Sequence, residues 1–454
     1  MDIALSALNR FGLGARPGER DRIADPRGWL RAQLDGGPPL LASEPAADAA
    51  IGDAIRAFVA ARRGDERERR QARRRLVEIT LAEIRAALAA RVTSERPFVE
   101  RLVAFWSNHL CVSATGKLLV APLAGRYERE AIRPHVLGRF DEMVLASARH
   151  PAMLIYLDNA QSIGPSSRAA RRMPQGGTRR GLNENHAREL LELHTLGVDG
   201  GYSQRDVQEL ARILTGWTIE GLGPGRAARE APGGVIRFVF RDPLHEPGPK
   251  TLLGVRYEEA GAAEGERAIR ALCRHPSTAQ HVARKLVAHV VADEPPAAAV
   301  QRVAQAFHAS GGDLRVTARA LVDAPEAWSE DARKFRTPQD WLVAVLRALG
   351  AGEVSEAVPA ALRQLRQPLW SPPSPKGFGD SLRDWADPDA LLNRAELART
   401  IGRIAAGRSA DPRALLDTIE MPRGTDLAAV LADAAVPTAD RLALVIAGPA
   451  FQWR

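Results

Sequence analysis

The side chains best equipped for chemistry are concentrated between Gly181 and Trp217, in the run GLNENHARELLELHTLGVDGGYSQRDVQELARILTGW. Asn183, Glu184, Asn185, His186, Arg188, Glu189, Glu192 and His194 crowd into one third of it. Read as an α-helix at about 100° per residue, Glu184, Arg188 and Glu192 form a stripe of alternating charge. His186, Leu190 and Leu193 then share an apolar sector, with Glu189 at its edge. The His-x-x-Glu spacing lets an imidazole and a carboxylate reach a common point, as metal-binding helical bundles require. His186, Glu189 and Glu192 are therefore the candidate metal ligands, and Glu189 is also a candidate general base. An arginine-paired Glu189 and a packed, hydrogen-bonded His186 account for the same pattern. Burial raises the pKa of a lone carboxyl, so Glu189 needs a partner on either reading.

Three further residues are candidates for catalysis. Phe98, Leu102, Phe105 and His109 recur at i, i+4, i+7 and i+11, which points His109 into the core, where an imidazole is desolvated and tuned. A histidine donating to a carbonyl at a helix end is the plainer alternative. His245 and Lys250 bracket a Pro/Gly loop, His245-Glu246-Pro247-Gly248-Pro249-Lys250, rigid enough to aim both into a neighbouring cleft. His150-Pro151 and His275-Pro276 read instead as helix starts, and His281 and His289 as packing residues.

The elements that must position these groups are mostly helices. Gly197 can end the signature helix at positive φ; Asp199-Gly200-Gly201 is a turn. Ser203 and Asp206 resemble a cap for a second helix whose apolar face runs Val207, Leu210, Ala211, Leu214 and Trp217. Residues 46–92 read as long helix with a charged middle, suited to a solvated face or a helix-loop-helix tip. Val235–Phe240 is the best strand candidate, and Thr251–Val255 is its expected partner in a hairpin insertion near 235–255. Gly164–Gly181 reads as a flexible Arg/Gly/Ser loop, either a lid over an anionic substrate or plain surface. Gln367–Asp380 is an extended Pro/Gly segment expected to wrap a groove. The expectation is a mainly α, multi-helical single unit over 1–454 with one small β-hairpin.

The chain has 454 residues, a formal charge of +8 and a pI near 10, and only five of its 63 basic residues are lysine. Basic charge raises nucleic-acid binding through an arginine surface, but aromatics for stacking are scarce at 5% and the arginines are spread widely. Cys111 and Cys273 stand too far apart in sequence for a zinc knuckle or a redox CxxC pair. Neither a signal-like start nor an apolar run long enough to span a bilayer is present, so the cytoplasm is the expected location. No P-loop, zincin, nucleophile-elbow or dinucleotide signature occurs.

The signature run resembles that of the bacterial DUF1800 family, whose function is not established. The resemblance extends through Leu8-Asn9-Arg10-Phe11-Gly12, Phe105-Trp106-Ser107-Asn108-His109 and Tyr156-Leu157-Asp158-Asn159. It continues through His245–Lys250 and Gln367-Pro368-Leu369-Trp370-Ser371-Pro372-Pro373. It implies a largely helical fold; in the motif, Asn183, Glu184, Asn185, Arg188 and Glu189 match better than His186. The expected function is an enzyme with a pocket around the NENHARELLELH helix, hydrolytic or redox, with a divalent metal (zinc, manganese or iron) as candidate cofactor. The alternative that the resemblance offers is a noncatalytic binding or assembly protein acting with a sulfatase-like partner. Nucleic-acid binding is the third reading.

Overall fold

The computed structural model describes residues 2–42, 44–172, 181–222, 234–420 and 427–454. Helices dominate, and a recurring device starts them: proline follows the cap residue at Asp25-Pro26, Arg96-Pro97, His150-Pro151, His275-Pro276, Thr337-Pro338 and Asp387-Pro388. Proline suits that position because its fixed φ is helical and its missing N–H would be unpaired there anyway. At two of these starts the cap is a histidine ring: Nδ1 of His150 accepts from the Ala152 amide at 3.1 Å, and Nδ1 of His275 from Ser277 at 3.2 Å. The charged stretch near residue 65 is a helix-loop-helix tip. It joins helix Asp48–Ala61 to the long helix Glu66–Thr93, which Asp65 and Glu68 start with a reciprocal capping box. No helix among the described residues is long and apolar enough to cross a membrane.

The signature helix is not α-helical throughout. It begins as α over Asn185–Glu189 and widens into a π turn over Leu190–His194. The extra residue per turn corrects the angular reading: His186, Leu190, Leu191 and His194 are buried, while Leu193 is rotated to a half-buried position. Gly197 then turns the chain at φ +87°, and a Cβ there would lie 2.8 Å from the His281 ring. Ser203 caps the next helix, Gln204–Ile213, as expected from the sequence.

That helix stops before Trp217, which belongs to strand β1 (Trp217–Glu220) and not to a helical face. The expected strand pairing is also corrected. Strand β2 (Arg237–Phe240) pairs antiparallel with β1, Trp217 opposite Phe240. Strand β3 (Lys250–Leu252) pairs with β4 (Val255–Tyr257). The reason is local: Leu253 and Gly254 have φ of 49° and 75°, the two positive angles of a tight type I′ hairpin turn. Thr251–Val255 therefore folds back on itself. The described part of Gly164–Gly181 holds a short helix, Arg168–Arg171, capped by Ser167; the remainder of that loop, 173–180, lies outside the described residues.

One apolar cluster runs from Ala7 to Phe451, with Trp106, Trp217 and Trp341 fully buried in it. Arginine is buried beside them, at Arg101, Arg133, Arg336, Arg347 and Arg394. Asp340 is the carboxylate at the centre of the main arginine cluster, 3.0 Å from Arg101 and 3.1 Å from Arg454. Arg336 donates to the Phe451 carbonyl and to Asn9, and Arg394 to Gln452 and the Arg336 carbonyl. A second knot forms around Glu128, which takes Arg91, Arg133, Ser107 and the indole N–H of Trp370. Removing a carboxylate that neutralises buried guanidinium groups leaves uncompensated charge, at a cost of about 3–5 kcal/mol. Asp340→Ala should lower the urea midpoint accordingly, whereas Glu356→Ala, at the exposed pair with Arg85, should barely move it. Equal small shifts for both would refute the assignment of Asp340 as the anchor.

Candidate functional site

The structure divides the expected site residues into separate groups. His109 ends the helix Pro97–His109, and its Nε2–H donates to the His194 carbonyl at 3.2 Å. His281, from helix Pro276–Val290, reaches the Leu193 carbonyl at 3.0 Å. These carbonyls stand at the end of the π turn, where the helix offers them no partner of its own. His109 and His281 thus close the signature helix from outside, with ring centroids 5.9 Å apart. His109 is held neutral: burial pushes its pKa well down, and Lys285 nearby adds to this. Burial also lowers His186 to about 4 and His194 to about 3. Neither ring nitrogen of His186 or His194 has a hydrogen-bond partner.

His186, Glu189 and Glu192 are not brought together. His186 points into the core, Glu192 faces the Tyr202 hydroxyl at 3.4 Å, and Glu189 lies between them. Among the described residues no three His, Cys, Asp or Glu side chains form a group able to hold a metal ion. Glu189 is half-buried, and neither hydrogen bond nor ion pair joins it to a described residue; Arg188 bonds to Glu184 and Gln204 instead. Burial, then the like charge of Glu192, raises its pKa. Among the described residues, no arginine pairs with this carboxyl.

His245 and Lys250 meet, in a knot of their own. His245 Nδ1–H donates to the Thr215 carbonyl at 2.8 Å. Its Nε2 therefore accepts from Lys250 Nζ at 3.1 Å, and the same ammonium reaches Glu264 at 3.1 Å. All three side chains are buried, which clamps the Pro/Gly loop onto helix Ala262–Cys273. None of these bonds reaches His109 or Glu189.

Sequence reasoning passed over the residue that completes the first group. Helix Pro276–Val290 carries His281, Lys285 and His289 at i, i+4 and i+8, one polar stripe whose Cβ atoms lie about 6 Å apart. Across from it runs the Pro/Gly strap, stitched to the residues around His109. Pro372 and Pro375 carbonyls accept from Ser113 and from the Cys111 thiol, at 2.7 and 3.2 Å. Asn108 exchanges two hydrogen bonds with Phe378, and Gly377, at φ +87°, packs where a Cβ would meet Asn108 at 2.6 Å. Asp380 ends the strap on His289 Nδ1 at 2.8 Å. This leaves His289 Nε2 and Asp380 Oδ1 without partners. Both residues border a cavity of about 50 Å³ that also touches Asn108, Gln367 and Phe378, room enough for ordered water.

Lys285 sits half-buried in the middle of the stripe with no hydrogen bond or ion pair to a described residue. Burial pulls its pKa down to about 8, with Cys111 and Asp380 opposing. Cys111 is pushed up to about 12 by burial, Lys285 opposing and Glu189 reinforcing. It is therefore a thiol donor, not a thiolate nucleophile. Cys111 connects the strap to the end of the helix that carries His109. The scarcity of lysine was the available signal. In a chain with 58 arginines, each of five lysines marks a place where a compact, titratable amine was kept.

The family model described as "Protein of unknown function (DUF1800)" matches residues 6–453. No curated protein and no solved structure matches the chain. Of the segments that carry the family resemblance, those at Asn108 and His109 are bonded to the strap and to the signature helix respectively; burial raises the pKa of Tyr156, with Cys111 and Glu189 reinforcing.

A lysine whose folded pKa lies below its unfolded value binds its proton more weakly when folded. Between about pH 8 and 10.5 the unfolded chain holds the extra proton, so stability rises with pH there; below 8 the full penalty persists. Lys285→Met should therefore stabilise the protein at pH 7, by up to about 3 kcal/mol at roughly 1.4 kcal/mol per pKa unit. The gain should vanish near pH 10.5. A loss of stability at pH 7 in urea titrations would show that Lys285 has an ionic partner after all.

Proposed function

The chain belongs to the DUF1800 family, and we propose that it is an enzyme acting on a carbonyl compound, with Lys285 as its reactive amine. The observation that supports this reading is the side chain itself: an inward-set amine with no ionic partner among the described residues, beside a His–Asp pair whose outer nitrogen is unbonded. At a pKa of about 8, roughly a fifth of Lys285 is neutral and nucleophilic at pH 7.4. Asp380 accepts the Nδ1–H of His289, which fixes the tautomer and leaves Nε2 as the basic nitrogen.

The chemistry follows from these positions. The Lys285 Nζ lone pair adds to the carbonyl carbon, and the C=O π electrons move onto oxygen. His289 Nε2 carries two protons in turn from nitrogen to oxygen: the first gives the carbinolamine hydroxyl, and the second lets that hydroxyl leave as water while the nitrogen lone pair closes the C=N bond of the imine. Glu189, its pKa raised by burial and by Glu192, is the carboxyl we assign to proton transfer on the carbon side of the imine. Asp380 is a positioning residue, acting through His289.

Borohydride trapping tests this. Incubating the protein with glyoxylate and cyanoborohydride should label Lys285, read by peptide mass, at a rate that rises toward pH 8. Lys285→Arg should abolish that label, and His289→Gln should slow it at least tenfold with the circular dichroism spectrum unchanged. Labelling confined to the exposed Lys376, or spread over all five lysines, would refute the reading.

A further inference from the structure

Outside this site, the long helix Glu66–Thr93 borders an open groove that nothing in the reaction uses. Three contiguous depressions of about 230, 250 and 360 Å³ share Arg70, Arg73, Val77 and Leu118 among their walls. The floor is apolar: Leu76, Leu81, Ile84 and Leu369 line it, and Val77 and Leu118 are 49% and 51% exposed. Such a strip of uncovered apolar surface costs solubility unless something binds there. The rim is cationic. Residues 62–75 carry eight exposed arginines against three acids, and Arg69, Arg73, Arg74 and Arg363 form no ion pair with a described residue.

We infer that this groove is the docking site of an amphipathic helix from a partner protein, with an apolar face flanked by acidic residues. The floor asks for apolar side chains, which a polynucleotide backbone lacks, and the rim asks for carboxylates. From Glu66 to Ile84 the groove follows about 27 Å of helix at 1.5 Å per residue, the reach of a five-turn ligand laid alongside. This is the helix-in-groove mode, with anchors at i, i+3, i+4 and i+7. The groove has a direct line to the interior. Leu369 and Ser371 lie in its wall, and the strap that runs on from them holds Cys111 and His289.

The test uses the full chain and a synthetic 18-residue helical peptide with leucines on one face and glutamates along both edges, titrated by fluorescence anisotropy. Saturable micromolar binding is expected, weakened at least tenfold by Leu118→Glu and by Arg70→Glu with Arg73→Glu. The arginine double variant should regain affinity for a peptide whose glutamates are replaced by lysines, which also shows that it is folded. A single-stranded oligonucleotide of the same net charge should bind more weakly and ignore Leu118→Glu. Tighter binding of the oligonucleotide, or peptide binding indifferent to Leu118→Glu, would assign the face to polyanions and overturn the inference. Absence of peptide binding would overturn it as well.

Discussion

A guanidinium taken out of water brings five N–H donors and a charge that cannot be titrated away. This fold buries several together and gives the main group one central carboxylate, Asp340. The donors left over are spent on backbone carbonyls: Arg10 on Ala327 and Ala332, Arg347 on Gly14, Val92 and Ser94, Arg454 on Arg10 and His289. Burial pushes Arg336 down to about 9 and Arg394 and Arg454 to about 10, so the cost of desolvation is real. What it secures is convergence of distant segments. Through Arg101, the cluster holds the helix that ends at His109; through Arg454, it holds the carbonyl end of the helix that carries Lys285. The candidate site lies between two elements tied to the same carboxylate.

The second constraint is the π turn. An α-helix through Leu190–His194 would have faced Leu193 to the core. The wider turn faces His194 there and leaves the carbonyls of Leu193 and His194 to be collected by His281 and His109. His109, singled out as a candidate catalyst, is thus structural, as is His281: both are lowered in pKa by burial and donate to backbone. Glu189 has no hydrogen bond or ion pair to a described residue. A π turn inside an α-helix often marks a functional position, and here it begins directly after Glu189.

The helical class, the caps at Ser203 and the Pro starts, and the wrapping strap were legible because each rests on local chemistry. Periodicity at 100° per residue could not disclose the π turn, since nothing in LLELH forbids a regular helix. It also could not tell that Leu253 and Gly254 bend a hairpin at positive φ, which moved the partner of Val235–Phe240 to the segment beginning at Trp217. Of the candidate site, Glu189 and His109 were singled out from the sequence and lie on and against the signature helix, while His245 and Lys250 are bound to Glu264. Lys285 went unread because the basic residues were weighed as a sum. A net charge says nothing about which few cations are interior, and many of the arginines counted toward a surface in fact hold the core.

The lysines make that distinction concrete. Lys250 has Glu264, Lys334 has Asp293, and Lys117 has Asp158, each as close as an ion pair allows. Lys376 is exposed and needs no partner. Among the described residues, Lys285 alone of the five is set into the protein without a carboxylate in contact. Packing does not demand an amine there, for an apolar side chain of similar length would fill the same space without the penalty of desolvation. Nor does solubility, since the group faces inward. An inward-set amine beside neutral histidines, whose desolvation offsets part of the fold's stability, is the arrangement that the imine chemistry proposed for Lys285 calls for.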